Sequence, residues 1–223
     1  MSEKKSDYCT FYIIRHGETE WNVAGRLQGH ADSPLTKKGI NQVKKLKKII
    51  KHVHFDGLFS SDSGRARKTA EIINLERKLA VVTTALLREK SFGNYEGQLS
   101  EKFRNDLKKL LDDYEKCSDN EKKSFKLPGV ETDEEAVSRF ITFLRQVAIA
   151  YPRRTILVVS HGAMIRALLI HLGLGTYNEI PWYSVTNSSY VKIRSDGTDF
   201  FIDKTFGIKK IDGENKIQIH KGL

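Results

Sequence analysis

The sequence predicts an α/β protein, a three-layer αβα sandwich with a mainly parallel central sheet and a small helical cap inserted before the third core strand. Three observations carry that prediction. The runs "CTFYII" (9–14), "FDGLFS" (55–60) and "RTILVVS" (154–160) are rich in β-branched or aromatic residues on both faces, as buried parallel strands are. Each is followed by a polar cluster and then a helix-like stretch: "RHGETEWN", "SDSGRARKTAEII" and "HGAMIRALLIHLGL". Repeated strand-to-helix passages make βαβ units, which imply a parallel sheet with helices on both faces.

Along the chain, "MSEKKSDY" reads as a short disordered lead into the first strand, charged but with no small-residue cleavage site. In "TKKGINQVKKLKKIIK" (36–51), Ile40, Val43, Leu46 and Ile50 recur at helical spacing and the lysines take the other faces. The long stretch between the second and third strands exceeds an ordinary crossover. It holds a helix-like run over 101–114, a polar break over 117–123 read as a mobile loop, and then a second helix. For that helix Thr132 is the expected N-cap, Glu135 follows three residues on, and Ala136, Phe140 and Phe143 form the apolar face. Residues of about 94–130 are the expected cap, within one domain spanning 1–223. From about Asn187 apolar and polar residues alternate, as in late edge strands. There is no internal repeat and no low-complexity tract.

A chain of 223 residues can bury a sizeable core, and 39% hydrophobic with 30% charged residues is the composition of a globular protein. No run reaches the ~18 apolar residues of a membrane span. Two cysteines, Cys9 and Cys117, do not make a disulfide framework, which points to a reduced, cytoplasmic setting. The formal charge of +10 favours anionic partners. No aromatic residues interleave with the lysines of 36–51 to stack bases, so that run reads as a solvated helix face rather than a nucleic-acid site. The anion to expect is a small phosphorylated metabolite, with neither nucleic acid nor membrane as partner.

In open α/β sheets, ligands bind outside the carboxyl ends of the strands. Arg15 with His16, Arg65 and His161 are all delivered to that edge. Two arginines and two histidines suit a phosphoryl group: guanidinium is a permanently charged planar fork, and a neutral histidine can act as a covalent nucleophile. Gly17 and Gly162 would remove bulk where backbone approaches a ligand, and helix N-termini after these turns would add N–H donors. "HVH" (52–54) has no third ligand nearby, so no metal site and no cofactor are expected. Cys9 and Arg15 stand six apart, the spacing of a tyrosine-phosphatase loop, but the intervening "TFYII" reads as a buried strand whose N–H groups belong to its neighbours.

The blocks "RHGETEWN", "SSDSGRARKTA", "LREKSFGNYEG" and "SHGAMIRAL" resemble, in order, the four signature blocks of the histidine phosphatase superfamily, whose best-known branch is the cofactor-dependent phosphoglycerate mutases. The resemblance implies that His16 is the phosphorylated nucleophile and that Arg15, Arg65 and His161 clamp the phosphoryl oxygens with help from Asn22. It implies that Glu89 donates a proton to the leaving group and later serves as base for water. Gln28, Gly29 and Gly162 would line the same pocket. His30 reads as a plain loop histidine, and Arg67 is expected to point away.

Mutases of this family follow the catalytic Glu with an Arg-His-Tyr-Gly-like run and carry an Arg-Arg pair in the cap. Here Phe92 stands at the tyrosine's place, and the cap has no such pair before "LPGVET". Arg153-Arg154 falls at the wrong end of the sheet. Both departures resemble the phosphatase branch. The expected function is a metal-independent phosphatase acting on small phosphate monoesters; a phosphoglycerate mutase and a non-catalytic phospho-ligand-binding regulator are the alternatives. Among the cap residues, Lys90, Lys102, Arg104, Lys122, Lys123 and Lys126 are candidates for binding a second anionic group.

Overall fold

The computed structural model describes residues 7–211 and 217–219. The disordered lead expected ahead of the first strand lies, over residues 1–6, outside the described residues. Strands β1 (Cys9–Arg15), β2 (Gly57–Ser61), β3 (Val81–Thr84) and β4 (Thr155–Ser160) pair in parallel. Strands β5 (Val185–Ser195), β6 (Phe200–Ile211) and β7 (Ile217–Ile219) continue the sheet antiparallel, giving the order β3-β2-β4-β1-β5-β6-β7.

The period of two along each strand sorts the core into two faces. Phe11, Ile13, Ile156 and Val158 point to one side, where they meet Phe140 and Leu144 of helix α7 (Asp133–Ala150) and Met164 and Leu168 of α8 (Gly162–His171). Ile14, Leu157 and Val159 point to the other. There they meet Val43 and Leu46 of α2 (Lys37–Ile49) and Ala66 and Ile73 of α3 (Gly64–Asn74). A short α1 (Glu20–Val23) precedes α2.

This arrangement opens a crevice. The helix reached after β1 lies on one face of the sheet and the helix after the adjacent β4 lies on the other, so the two connections diverge at the strand ends. Arg15 is paired with Ser160, which ends β1 and β4 level and sets the residues that follow them side by side.

Capping fixes where the helices begin. Thr36 Oγ1 accepts from Gly39 N at the start of α2. Thr132 and Glu135 form the expected reciprocal box at the start of α7. Ala136, Phe140 and Phe143 are buried as expected.

Elsewhere the structure corrects the sequence reading. The helix expected over 101–114 is two helices, α4 (Ser100–Asp106) and α5 (Lys108–Lys116), that break at Leu107. The polar break over 117–123 is not a loop: it contains α6 (Asp119–Ser124), started by a capping box in which Ser118 and Glu121 satisfy each other's backbone N–H groups. The late strands begin at Val185, and β5 is interior, held between β1 and β6. Strand β3 was not expected; it is four residues long and partly exposed, too short to leave a clear pattern.

Candidate active site

His16 sits one residue past β1, and its backbone stays tied to the sheet. Its N–H donates to Ser160 O at 3.1 Å, and its carbonyl accepts from Ser188 N and Asn187 Nδ2, both at 3.3 Å. The ring is 2% exposed. Nδ1 lies 2.7 Å from the carbonyl oxygen of Gly17. A carbonyl can only accept, so Nδ1 carries the proton and Nε2 is left with its lone pair. Burial first, then the charges of Arg65 and Arg15, hold the His16 pKa well below its ordinary value. The imidazole is therefore neutral at neutral pH.

His161 follows β4 as the N-cap of α8, and its ring centroid is 5.2 Å from that of His16. It is fully buried, and neither ring nitrogen has a hydrogen-bond partner. Burial, Arg65 and His16 push its pKa well down in the same way.

Arg65, in the first turn of α3, is 1% exposed and threaded through its neighbours. Its Nη1 donates to Ala31 O at 2.6 Å and Asp32 Oδ1 at 2.8 Å, and its Nη2 donates to Gly29 O at 2.8 Å. Arg15 is anchored through Nη1 to Val185 O at 2.5 Å. The Nε of each arginine is buried without a partner. Arg67 is exposed, as is His30.

The two glycines next to the histidines are each required by a neighbour within the protein. A Cβ on Gly17 would lie 2.7 Å from Gly39 O of α2, and one on Gly162 would lie 2.9 Å from Arg15 Nε. Gly17 lets α2 close on the loop, and Gly162 makes room for the guanidinium.

Glu89, on the loop after β3, is 9% exposed. Its Oε1 accepts from Lys90 N and Met164 N, both at 2.9 Å, and its Oε2 accepts from Ala163 N at 3.1 Å. The carboxylate thus sits on the N-terminus of α8, one turn from His161, where the helix dipole favours negative charge. Its charge is felt at Arg15, whose pKa burial lowers and Glu89 partly restores. The N–H groups of Ala163 and Met164, expected to face an anion, are occupied by Glu89.

The remaining expected residues border this cluster. Gln28 is 8% exposed, with Oε1 buried and unpartnered. Gly29 contributes the carbonyl that holds Arg65. Asn22 Oδ1 accepts from Thr19 N and from Asn187 Nδ2, both at 3.2 Å, which leaves its amide hydrogens as the available donors.

Two contributors escaped the sequence reading. Arg139 donates to the carbonyls of Leu86, Arg88 and Glu89 at 2.7–3.0 Å and pairs with Glu131 at 2.8 Å. Burial works against charge on Glu131, but the Arg139 hydrogen bonds and Ser91 N–H hold its pKa down. The signal was present: Arg139 lies three residues after Ala136 and four before Phe143, a charge on the buried stripe of its helix. Asn187 ties the start of β5 to His16 and left no comparable local mark.

Among the described residues, no three His, Cys, Asp or Glu side chains are grouped to hold a metal ion. Cys9 is buried in β1, where burial pushes its thiol up to about 12, unlike a nucleophilic thiolate. Both cysteines are free thiols. No helix among the described residues is long and apolar enough to cross a membrane.

Set beside known proteins, residues 11–206 match the family model of the histidine phosphatase superfamily (branch 1). The chain is 34% identical over 163 residues to the Bacillus subtilis protein named "Uncharacterized phosphatase PhoE", covering 73% of this chain and 77% of that one. It is also 34% identical over 169 residues to "Probable phosphoglycerate mutase GpmB" of Proteus mirabilis, covering 75% and 77%. The solved structure of Bacillus stearothermophilus YhfR superposes with a TM-score of 0.77 at 28% identity, over 87% of this chain and 95% of that one.

Proposed function

The chain belongs to the histidine phosphatase superfamily, and from that premise we propose that it hydrolyses small phosphate monoesters through a phosphohistidine on His16. The observation that carries this reading is the His16 tautomer: Nδ1 is committed to Gly17 O, and the lone pair of Nε2 belongs to a ring that burial and two arginines keep neutral.

In the first step His16 Nε2 attacks phosphorus and the bond to the ester oxygen breaks. Glu89, entering this step in its protonated form, gives its proton to the departing alkoxide and is left as the carboxylate. In the second step water attacks the phosphohistidine while Glu89 takes its proton. The P–N bond breaks and its electron pair returns to Nε2. Arg15, Arg65 and His161 surround the ring and supply the charge and hydrogen bonds that the equatorial oxygens need; Asn22 and Gln28 add polar contacts at the edge. Their unpartnered buried groups (Arg15 Nε, Arg65 Nε and both His161 nitrogens) are the donors and acceptors such a group would satisfy. Phosphoryl transfer asks mainly for positioning and charge stabilisation, and here side chains provide both.

A cytoplasmic setting and a small phosphorylated metabolite as substrate belong to this reading, with residues of about 94–130 as a cap over the strand ends within one domain. The test is turnover of a panel of phosphate monoesters with chelator present, for wild type and His16→Ala. Expected is chelator-insensitive release of phosphate that His16→Ala abolishes, with a phosphohistidine recovered from wild type after alkaline quench. Full activity in His16→Ala overturns the mechanism. Phosphate exchange between the two phosphoglycerates with little free phosphate assigns the chain to the mutases instead.

A further inference from the structure

The basic residues of the 94–130 segment are not equivalent. Lys102 pairs with Asp106 and Lys126 with Glu135, all at the surface. Lys122 differs: its side chain is 3% exposed, and its one carboxylate partner, Glu115 at 3.5 Å, is 69% exposed. Its ammonium lies 5.2 Å from the centre of the Tyr114 ring.

Lys122 lines a cavity of about 410 Å³, within the range of ligand pockets. The walls are mainly apolar and include Phe92, Phe103, Leu111, Tyr114, Phe125 and Trp182. A second cavity of about 190 Å³ shares Tyr114, Glu115, Lys122 and Trp182 with it.

The charges around these walls do not balance. Lys90 and Arg166 are both buried and share one buried carboxylate, Asp133, at 2.5 and 3.9 Å. Both cations also face the Trp182 ring. Of the two carboxylates on the larger cavity, Glu131 is taken by Arg139 and Glu115 is the exposed partner of Lys122. Among the described residues, three buried cations, Lys90, Arg166 and Lys122, have as carboxylate partners only the buried, shared Asp133 and the exposed Glu115. This leaves positive charge undercompensated in largely apolar surroundings, a cost that an added anion would relieve.

The cavity also borders residues next to the proposed acid. Lys90, on its lining, follows Glu89 in the chain, and Leu27, also on its lining, precedes Gln28. On the phosphatase reading, an ester with its bridging oxygen at Glu89 would extend its organic part toward these residues.

Building on the phosphatase reading, we propose that this cavity receives the leaving group of the substrate, an aromatic or apolar body bearing a carboxylate, and that Lys122 binds that carboxylate.

The experiment compares 3-(4-phosphonooxyphenyl)propanoate, its neutral analogue 4-propylphenyl phosphate, and glycerol phosphate, for wild type, Lys122→Met and Phe103→Trp. Methionine suits the apolar walls, so Lys122→Met is expected to fold. Wild type should favour the carboxylate ester over its neutral analogue by about ten- to a hundredfold in kcat/KM, the range of one charge-assisted hydrogen bond. Lys122→Met should erase that preference through KM, with kcat and the neutral ester unchanged. Phe103→Trp should raise KM for both aryl esters and leave glycerol phosphate as it was. Equal use of both aryl esters by wild type, or equal losses on both in Lys122→Met, overturns the proposal. Failure of wild type to hydrolyse all three esters sinks the phosphatase reading alone. Tryptophan fluorescence titrated with 3-(4-hydroxyphenyl)propanoate then decides the cavity: saturation in wild type that Lys122→Met abolishes supports the proposal, and no saturation overturns it.

Discussion

Arg139 Nη2 donates to the backbone carbonyl of Glu89 at 2.9 Å, across fifty residues of chain. The same guanidinium holds the carbonyls of Leu86 and Arg88 and pairs with Glu131, so the loop that presents Glu89 is fixed from behind at three points. Arg139 is thus a positioning residue for the proposed acid. Arg139→Met should lower kcat by about ten- to a hundredfold, the scale expected when a reacting group shifts by about 1 Å. The readout that separates positioning from mere folding is leaving-group dependence. The loss should be larger for alkyl phosphates than for nitrophenyl phosphate, as for Glu89→Gln, because only the poor leaving group needs the proton. Equal losses on both esters would show that Arg139 supports the fold and not the acid.

The pH dependence of kcat/KM follows from the His16 environment. Its pKa is lowered, so the neutral, nucleophilic ring persists as pH falls through 6.5 and is lost only well below it. After correction for ionisation of the ester, the acid limb should lie clearly below pH 6.5. In Arg65→Met one of the two charges that disfavour the imidazolium is gone, and the limb should move up toward that value. A limb at 6.5 or above in wild type would contradict the neutral buried ring.

Stability carries the same signature. The unfolded chain protonates His16 and His161 near their ordinary value, whereas the folded protein holds both neutral to much lower pH. Above pH 6.5 neither state binds the extra protons. Below it the unfolded state binds more, and folding stability falls by about 1.4 kcal/mol per pH unit for each group. Urea denaturation from pH 7 to 5 should show this decline, and His161→Asn should remove about half of the share that the two rings contribute. A wild-type stability that stays flat over this range would rule the mechanism out.

The sequence disclosed these features unevenly, for physical reasons. Arg15 ends an apolar strand, His16 and His161 each sit immediately beyond one, and Arg65 sits at the start of the helix after one, so local pattern alone places them at one edge of the sheet. Arg139 and Asn187 act across 50 and 171 residues, and nothing near them in the chain announces their partners. Composition misled at 117–123, where a run of polar residues looked like a loop. The helix there is written in the spacing of Ser118 and Glu121, two residues whose caps matter more than the polarity around them. Strand β5 looked like an edge because its residues alternate, but β6 covers its outer side. The charge on Lys122 was legible and its burial was not, since burial depends on aromatic rings brought in by α4, α5 and the segment after α8.

The contact between Gly162 and Arg15 gives the most direct test of how the phosphoryl group is held. A methyl group on residue 162 would lie 2.9 Å from Arg15 Nε and 3.0 Å from its Cζ. The guanidinium cannot simply swing aside, because Nη1 is anchored to Val185 O. Nor is alanine a poor choice for the backbone, since residue 162 begins α8 and does not require a positive φ. Gly162→Ala should therefore fold normally while pushing Arg15 off its mark. We expect kcat/KM to fall by about ten- to a hundredfold, the size of a lost charge-assisted contact. The loss should be the same for alkyl and nitrophenyl esters, because in the proposed mechanism Arg15 addresses the phosphoryl oxygens and not the leaving group. Inhibition by inorganic phosphate should weaken in parallel. A variant that turns over slowly yet binds phosphate as wild type does would place Arg15 outside the anion's reach.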